Sequence, residues 1–145
     1  MSKIPQHIVD IVARASSDKE RVKILTNSAE DMLNPDVHLS KTLALEARTL
    51  AETINFSEGI AHAYNILAGC SYRLAEYQNA IELSTIALQL CEEIEYEYGA
   101  AFALNTIGAV SINTGELPHA LESFLKSLSI RERISHQQGV ATSLT

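Results

Sequence analysis

The chain has 145 residues, 46% of them hydrophobic and 20% charged, with 6 Gly, 3 Pro and a formal charge of −7. That is enough apolar mass for one core and too little charge for a disordered chain, and the scarcity of Gly and Pro beside plentiful Ala, Leu, Ile, Glu and Ser favours helix over sheet. The charge is −2 over residues 1–58, −5 over 59–98 and 0 over 99–145, which leaves no basic face for a phosphate backbone and excludes nucleic acid as a partner.

The first stretch, MSKIPQHIVDIVARASSDKER, carries Asp10 and Arg14 inside its apolar part, so it does not read as a secretory leader. No segment approaches the roughly 18 apolar residues of a membrane span. The expectation is a soluble, cytoplasmic protein with no membrane contact. Residues 5–15 predict a short leading helix with Pro5 near its start. Ser17-Asp18-Lys19-Glu20 has capping-box form and opens a helix to about Leu33. Asn34-Pro35 turns the chain, and a helix from about Val37 to Ile54 follows. Residues 59–74 place Ile60, Tyr64, Leu67 and Ser71 on one helical face. After a turn at Ala75-Glu76, a helix over about 78–95 gathers Ala80, Ile81, Ser84, Ala87, Leu88 and Cys91 on one face. The next helix opens at Gly99 and runs to Asn113-Thr114-Gly115-Glu116, where Gly is the natural stop. Pro118 then falls in the first turn of a helix over about 118–135. Cys70 and Cys91 lie inside helical patterns and read as small buried thiols in a reducing compartment. The acidic run CEEIEYEY, Cys91 to Tyr98, reads as a solvated helix end.

Gly59 opens GIAHAYN, Gly99 opens GAAFALN and Gly139 opens GVATSLT, at intervals of 40 residues. Aligned without gaps, 59–98 and 99–138 share 11 identities, among them Asn65/Asn105, Ser71/Ser111, Ala80/Ala120 and Leu88/Leu128. Stepping back 40 residues matches Ala47, Leu50, Glu52 and Ile54 to Ala87, Leu90, Glu92 and Ile94. The chain therefore divides into a leading cap helix (1–18), a degenerate repeat (19–58), two clear repeats (59–98 and 99–138) and the start of a further one (139–145). Small residues recur where paired helices must approach: Ala68 with Ala80, Gly108 with Ala120.

The stretches NILAGCSYRLAEYQNAIELSTIAL (65–88) and NTIGAVSINTGELPHALESFLKSL (105–128) resemble tetratricopeptide repeats. The pattern of a large apolar residue, Leu-Gly or Leu-Ala, an acidic turn and spaced alanines is met by Tyr64, Leu67-Ala68, Glu76-Tyr77, Ala80 and Ala87. In the next unit it is met by Leu104, Ile107-Gly108, Gly115-Glu116, Ala120 and Phe124, with Ser127 replacing the last Ala. The period is longer than the common 34. It is similar to the variant found in kinesin light chains, spindle-orientation adaptors and quorum-peptide receptors. SFLKSLSIRERISHQQGVATSL is most like the N-terminal repeats of bacterial sensor kinases and nucleotide cyclases. The resemblance implies an all-α, right-handed superhelical stack of antiparallel helical hairpins.

No two of His7, His38, His62, His119 and His136 sit at a metal-binding helical spacing with a third ligand near, and phosphate loops and CXXC are absent. No catalytic residue, metal or cofactor is expected, and the chain is not read as an enzyme. The resemblance assigns the concave side to the first helix of each pair. There His62, Asn65, Gly69 and Tyr72 share a face, repeated as Phe102, Asn105, Ala109 and Ile112. A side-chain amide both donates and accepts, so it pairs with the backbone of a peptide of any sequence. In long-repeat relatives an Asn at this position holds a ligand backbone, and Asn65 and Asn105 match it. Thr145 stands there in the following unit. The function expected is a protein-interaction scaffold binding a peptide or partner segment in the groove. The alternative is the sensory or dimerising region of a larger bacterial signalling enzyme with its catalytic domain beyond residue 145. GVATSLT reads as a cut repeat that leaves apolar residues of the preceding helix uncovered, so self-association through residues 118–145 is expected.

Overall fold

A computed structural model describes residues 3–143 of the chain. Seven helices account for it: α1 Gln6–Arg14, α2 Asp18–Met32, α3 Val37–Thr53, α4 Ser57–Arg73, α5 Tyr77–Glu93, α6 Glu97–Asn113 and α7 Leu117–Ser143. The described residues contain no strand. Each helix packs on the next in chain order, and the longest-range packing is α2 on α4 and α4 on α6.

The regularity is finer than the 40-residue period. Helices α3 to α6 are each 17 residues long, and α3 to α7 start at 37, 57, 77, 97 and 117, twenty residues apart. One backbone device makes each of the four links from α3 to α7. Asn55, Ala75, Glu95 and Gly115 adopt positive φ of 55°, 61°, 57° and 82°. The amide one residue later then donates back across the helix end: Phe56 to Ala51, Glu76 to Ser71, Tyr96 to Cys91 and Glu116 to Ser111, at 2.8–2.9 Å. These are Schellman caps. Gly115 meets no steric objection to that conformation and Asn55 little, whereas Ala75 and Glu95 are held there against a cost of about 1–2 kcal/mol each. The link between α2 and α3 differs because Pro35 cannot take positive φ. There Asp36 N–H donates to Met32 O at 2.8 Å, and its carboxylate caps α3 through Leu39 N–H at 3.1 Å. Helix α2 starts as the capping-box signature implies, with Ser17 Oγ accepting from Glu20 N–H at 3.1 Å. The returning contact is shifted by one residue, since Glu20 accepts from Ser16 N–H rather than from Ser17.

The core is built largely from small side chains. Ala44, Ala47, Ala61, Ala63, Ala68, Ala80, Ala87 and Ala103 are fully buried, around Leu43 and Ile66. Such residues let helix axes approach closely and leave no room for growth. Gly59 and Gly99 show the limit. A Cβ on Gly99 would lie 2.5 Å from Cys91 Sγ and 2.7 Å from the Tyr96 ring, and one on Gly59 would lie 2.6 Å from Val22.

The boundary read at residue 138 falls inside a helix. Helix α7 runs unbroken from Leu117 to Ser143, through Ser135, which stands in register with the four positive-φ residues. Gly139, in register with Gly59 and Gly99, has nothing near its Cβ position. The physical reason is tertiary. Ala75 and Glu95 have no local preference for a left-handed cap, so the helix docking beyond them supports the turn. Across Ser135 the hydrogen-bond ladder of α7 simply continues, since a helix once formed extends at little cost. Residues 144 and 145, with the reading of Thr145 as a third groove position, lie outside the described residues.

Candidate functional site

Helices α2, α4 and α6 lie side by side, and beside α6 they leave an open groove of about 260 Å³. Its floor comes from α6 through Phe102, Asn105, Thr106 and Ala109. Gly69, Tyr72 and Arg73 of the last turns of α4 form one wall, Leu33 and Asn34 close it beyond α2, and Arg131 reaches in from α7. Five of the eight expected site residues therefore meet here: Gly69, Tyr72, Phe102, Asn105 and Ala109. The tyrosine is braced, because Asn113 Nδ2 donates to Tyr72 Oη at 3.2 Å while Asn113 Oδ1 accepts from Tyr77 Oη at 3.3 Å.

The other three lie elsewhere. Ile112 is half exposed at the end of α6, outside the groove lining. Asn65 is 1% exposed, and its Nδ2 donates to Gly99 O at 2.9 Å, while its Oδ1 is buried with no hydrogen-bond partner among the described residues. Asn105 is exposed on the groove floor, and its side chain makes no hydrogen bond among the described residues. The same residue in the same register thus has two environments, because α4 is flanked by α2 and α6 whereas α6 has an inner neighbour on one side only. His62 joins a separate cluster. Its Nε2 is 3.7 Å from Glu30 Oε1, which is ion-pair distance and too long for a hydrogen bond, and Tyr98 Oη donates to the same oxygen at 2.8 Å. The His62 contact, then the Tyr98 hydroxyl, hold Glu30 below the ordinary carboxylate range against its partial burial. Burial and the Glu30 contact push the Tyr98 phenol up to about 12.

The thiols are buried and unpaired. Burial raises Cys70, and burial together with neighbouring Glu92 raises Cys91 to about 11, so neither is poised as a nucleophile. Among the described residues no group of three His, Cys, Asp or Glu could hold a metal ion. No helix of the described residues is long and apolar enough to cross a membrane.

Leu33, Asn34, Arg73, Thr106 and Arg131 were not among the expected residues. Arg73 directly follows Tyr72 and could have been found by following the face around the last turn of α4. Arg131 lies on the second helix of its pair, which the resemblance does not assign to the groove. Comparison of the chain with protein-family models, with curated proteins and with solved structures gives no match.

Proposed function

We propose that the chain is a tetratricopeptide-type scaffold, a right-handed superhelical stack of antiparallel hairpins, that binds an extended peptide in the groove beside α6. It acts by binding rather than by catalysis. The observation that carries this reading is the unengaged Asn105 amide on an apolar floor of Phe102 and Ala109, beside the braced Tyr72. A cavity of about 260 Å³ is smaller than the roughly 300–1,000 Å³ that encloses a small molecule, and it suits a few side chains of a longer ligand. Two buried unpaired thiols suit a reducing, cytoplasmic setting. The test is capture of partners from the source cell by the wild-type chain and by Asn105→Ala and Ala109→Trp. A partner held by wild type and lost by both variants supports the groove; a partner held equally by all three removes it.

A second surface favours self-association, which is compatible with the first reading. Leu117, Leu121, Leu125 and Leu128 are 62%, 60%, 55% and 52% exposed and form one stripe along α7. Forty residues earlier Tyr77, Ile81 and Leu88 are part-buried on α5, which packs on α6. The stripe continues the seam between successive helices, and we take its occupant to be a second copy of this chain.

A further inference from the structure

A second cavity, of about 230 Å³, opens at the link between α6 and α7 and shares no residue with the groove beside α6. Ile81 and Val110 give it apolar walls, Tyr77 adds an aromatic one, and Ser111, Thr114 and Glu116 bring oxygen atoms to it. No Lys or Arg lines it.

The preceding unit lacks this set. There Leu74 stands in place of Thr114, and Asn79 in place of His119. Asn79 Nδ2 donates to Ser71 Oγ at 2.7 Å, so that serine is satisfied within the fold. Its counterpart Ser111 is 2% exposed, and its hydroxyl has no hydrogen-bond partner among the described residues. Buried hydroxyls are nearly always partnered, so this one points to a ligand. Thr114 Oγ1 donates to Val110 O at 3.2 Å, which leaves its lone pairs able to accept. Glu116 forms no ion pair among the described residues. Tyr77 Oη donates to Asn113 Oδ1 at 3.3 Å, which holds the ring in place.

Charge decides what fits. The start of a helix ordinarily favours an anion. Here Glu116 already sets a carboxylate ahead of α7, and Pro118 brings no amide to its first turn. An ammonium carries three N–H donors and no acceptor, which suits a cavity whose free polar groups are oxygens. An aromatic face adds attraction for a cation. We propose that this cavity binds an alkylammonium group. The ammonium donates to Ser111 Oγ, Thr114 Oγ1 and the Glu116 carboxylate, and a short carbon chain rests on Ile81 and Val110 beside the Tyr77 ring. A free short-chain amine and a lysine side chain of another protein both carry this group, and the experiment separates them.

The experiment titrates n-butylammonium chloride into the isotope-labelled full chain and follows the amide chemical shifts, with n-butanol as the uncharged analogue of similar shape. Saturable shifts centred on Val110, Ser111, Thr114 and Glu116 are expected with the amine and not with the alcohol. Glu116→Gln should weaken binding about tenfold. Thr114→Leu, which writes the preceding unit's residue into this one, should abolish it. Circular dichroism melts check that both variants fold. A lysine blocked at its amino and carboxyl ends forms the third arm. Tighter binding than butylammonium assigns the site to a partner's lysine, weaker binding assigns it to a free amine, and both outcomes support the alkylammonium. Equal binding of butanol, indifference to Glu116→Gln or to Thr114→Leu, or no saturable shift at these residues overturns the proposal and leaves the groove reading untouched.

Discussion

Asn65 Nδ2 donates to Gly99 O across 2.9 Å, joining the middle of α4 to the start of α6 over a separation of 34 residues. The bond is buried, and it lies where Gly99 lets the chain pass close to Cys91 and Tyr96. Asn65→Ala should therefore destabilise the protein by about 1–2 kcal/mol through a lost buried hydrogen bond and a small cavity. Asn105→Ala, on the open floor, should leave the melting temperature almost unchanged. Thermal denaturation of the two variants measures the difference, and equal melting temperatures would contradict it.

The positive-φ links give a second prediction with an unusual sign. Ala75→Gly and Glu95→Gly should each stabilise the protein by about 1 kcal/mol, since glycine relieves the left-handed strain and the gain exceeds its unfolded-chain entropy. Gly115→Ala should cost a similar amount. Urea midpoints at constant slope would report all three.

Ala80 and Ala120 stand where paired helices meet and are 0% and 2% exposed. Replacing either by Leu should cost about 1–3 kcal/mol by overpacking. Melting curves that coincide with wild type would mean that the hairpin has room there.

Glu30 gives a pH dependence. Its folded value is below the ordinary 4.5, so it adds stability that is complete above the unfolded value and drains as pH falls through the folded one. Glu30→Gln should flatten the loss of stability below about pH 4.5, with little change in slope above pH 6. Chemical denaturation at a series of pH values would show parallel wild-type and mutant curves in the acid range if the carboxylate plays no such part.

Light scattering over a dilution series tests the α7 stripe. The wild-type chain should associate as concentration rises, and Leu121→Glu with Leu128→Glu should keep it monomeric, because a buried charge at either position is unpaired. A wild-type chain that stays monomeric throughout removes the second surface.

The helical class and the 40-residue interval were legible because glycines and alanines repeat where helices touch, and touching leaves little choice of residue. The twenty-residue interval was not. Its marker is a backbone angle, and Ala75 and Glu95 adopt that angle without the residue types that announce it. The groove was half legible. Phe102, Asn105 and Ala109 follow from helical spacing once the resemblance assigns the groove to the first helix of each pair, but Asn65 and Asn105 are indistinguishable in sequence and differ only in whether a further inner helix covers them. The unbroken course of α7 was hidden for a related reason: Ile134 matches Ile94 in sequence, and the left-handed links at Ala75 and Glu95 are marked by no residue type that Ser135 lacks.

Packing restricted to near neighbours along the chain has a kinetic side. With nearly every contact made between helices one or two steps apart, little loop entropy must be surrendered before a contact is rewarded, which is the condition for rapid folding. Any adjacent pair can serve as the nucleus, and growth then proceeds outward one helix at a time. Among the described residues α1 and α7 stand at the two ends of the packing order, whereas α4 packs on α2, α3, α5 and α6. Amide hydrogens should accordingly exchange in a gradient, fastest at both ends and slowest in α4, so that a chain emerging from the ribosome could hold its early helices while later ones are still being added.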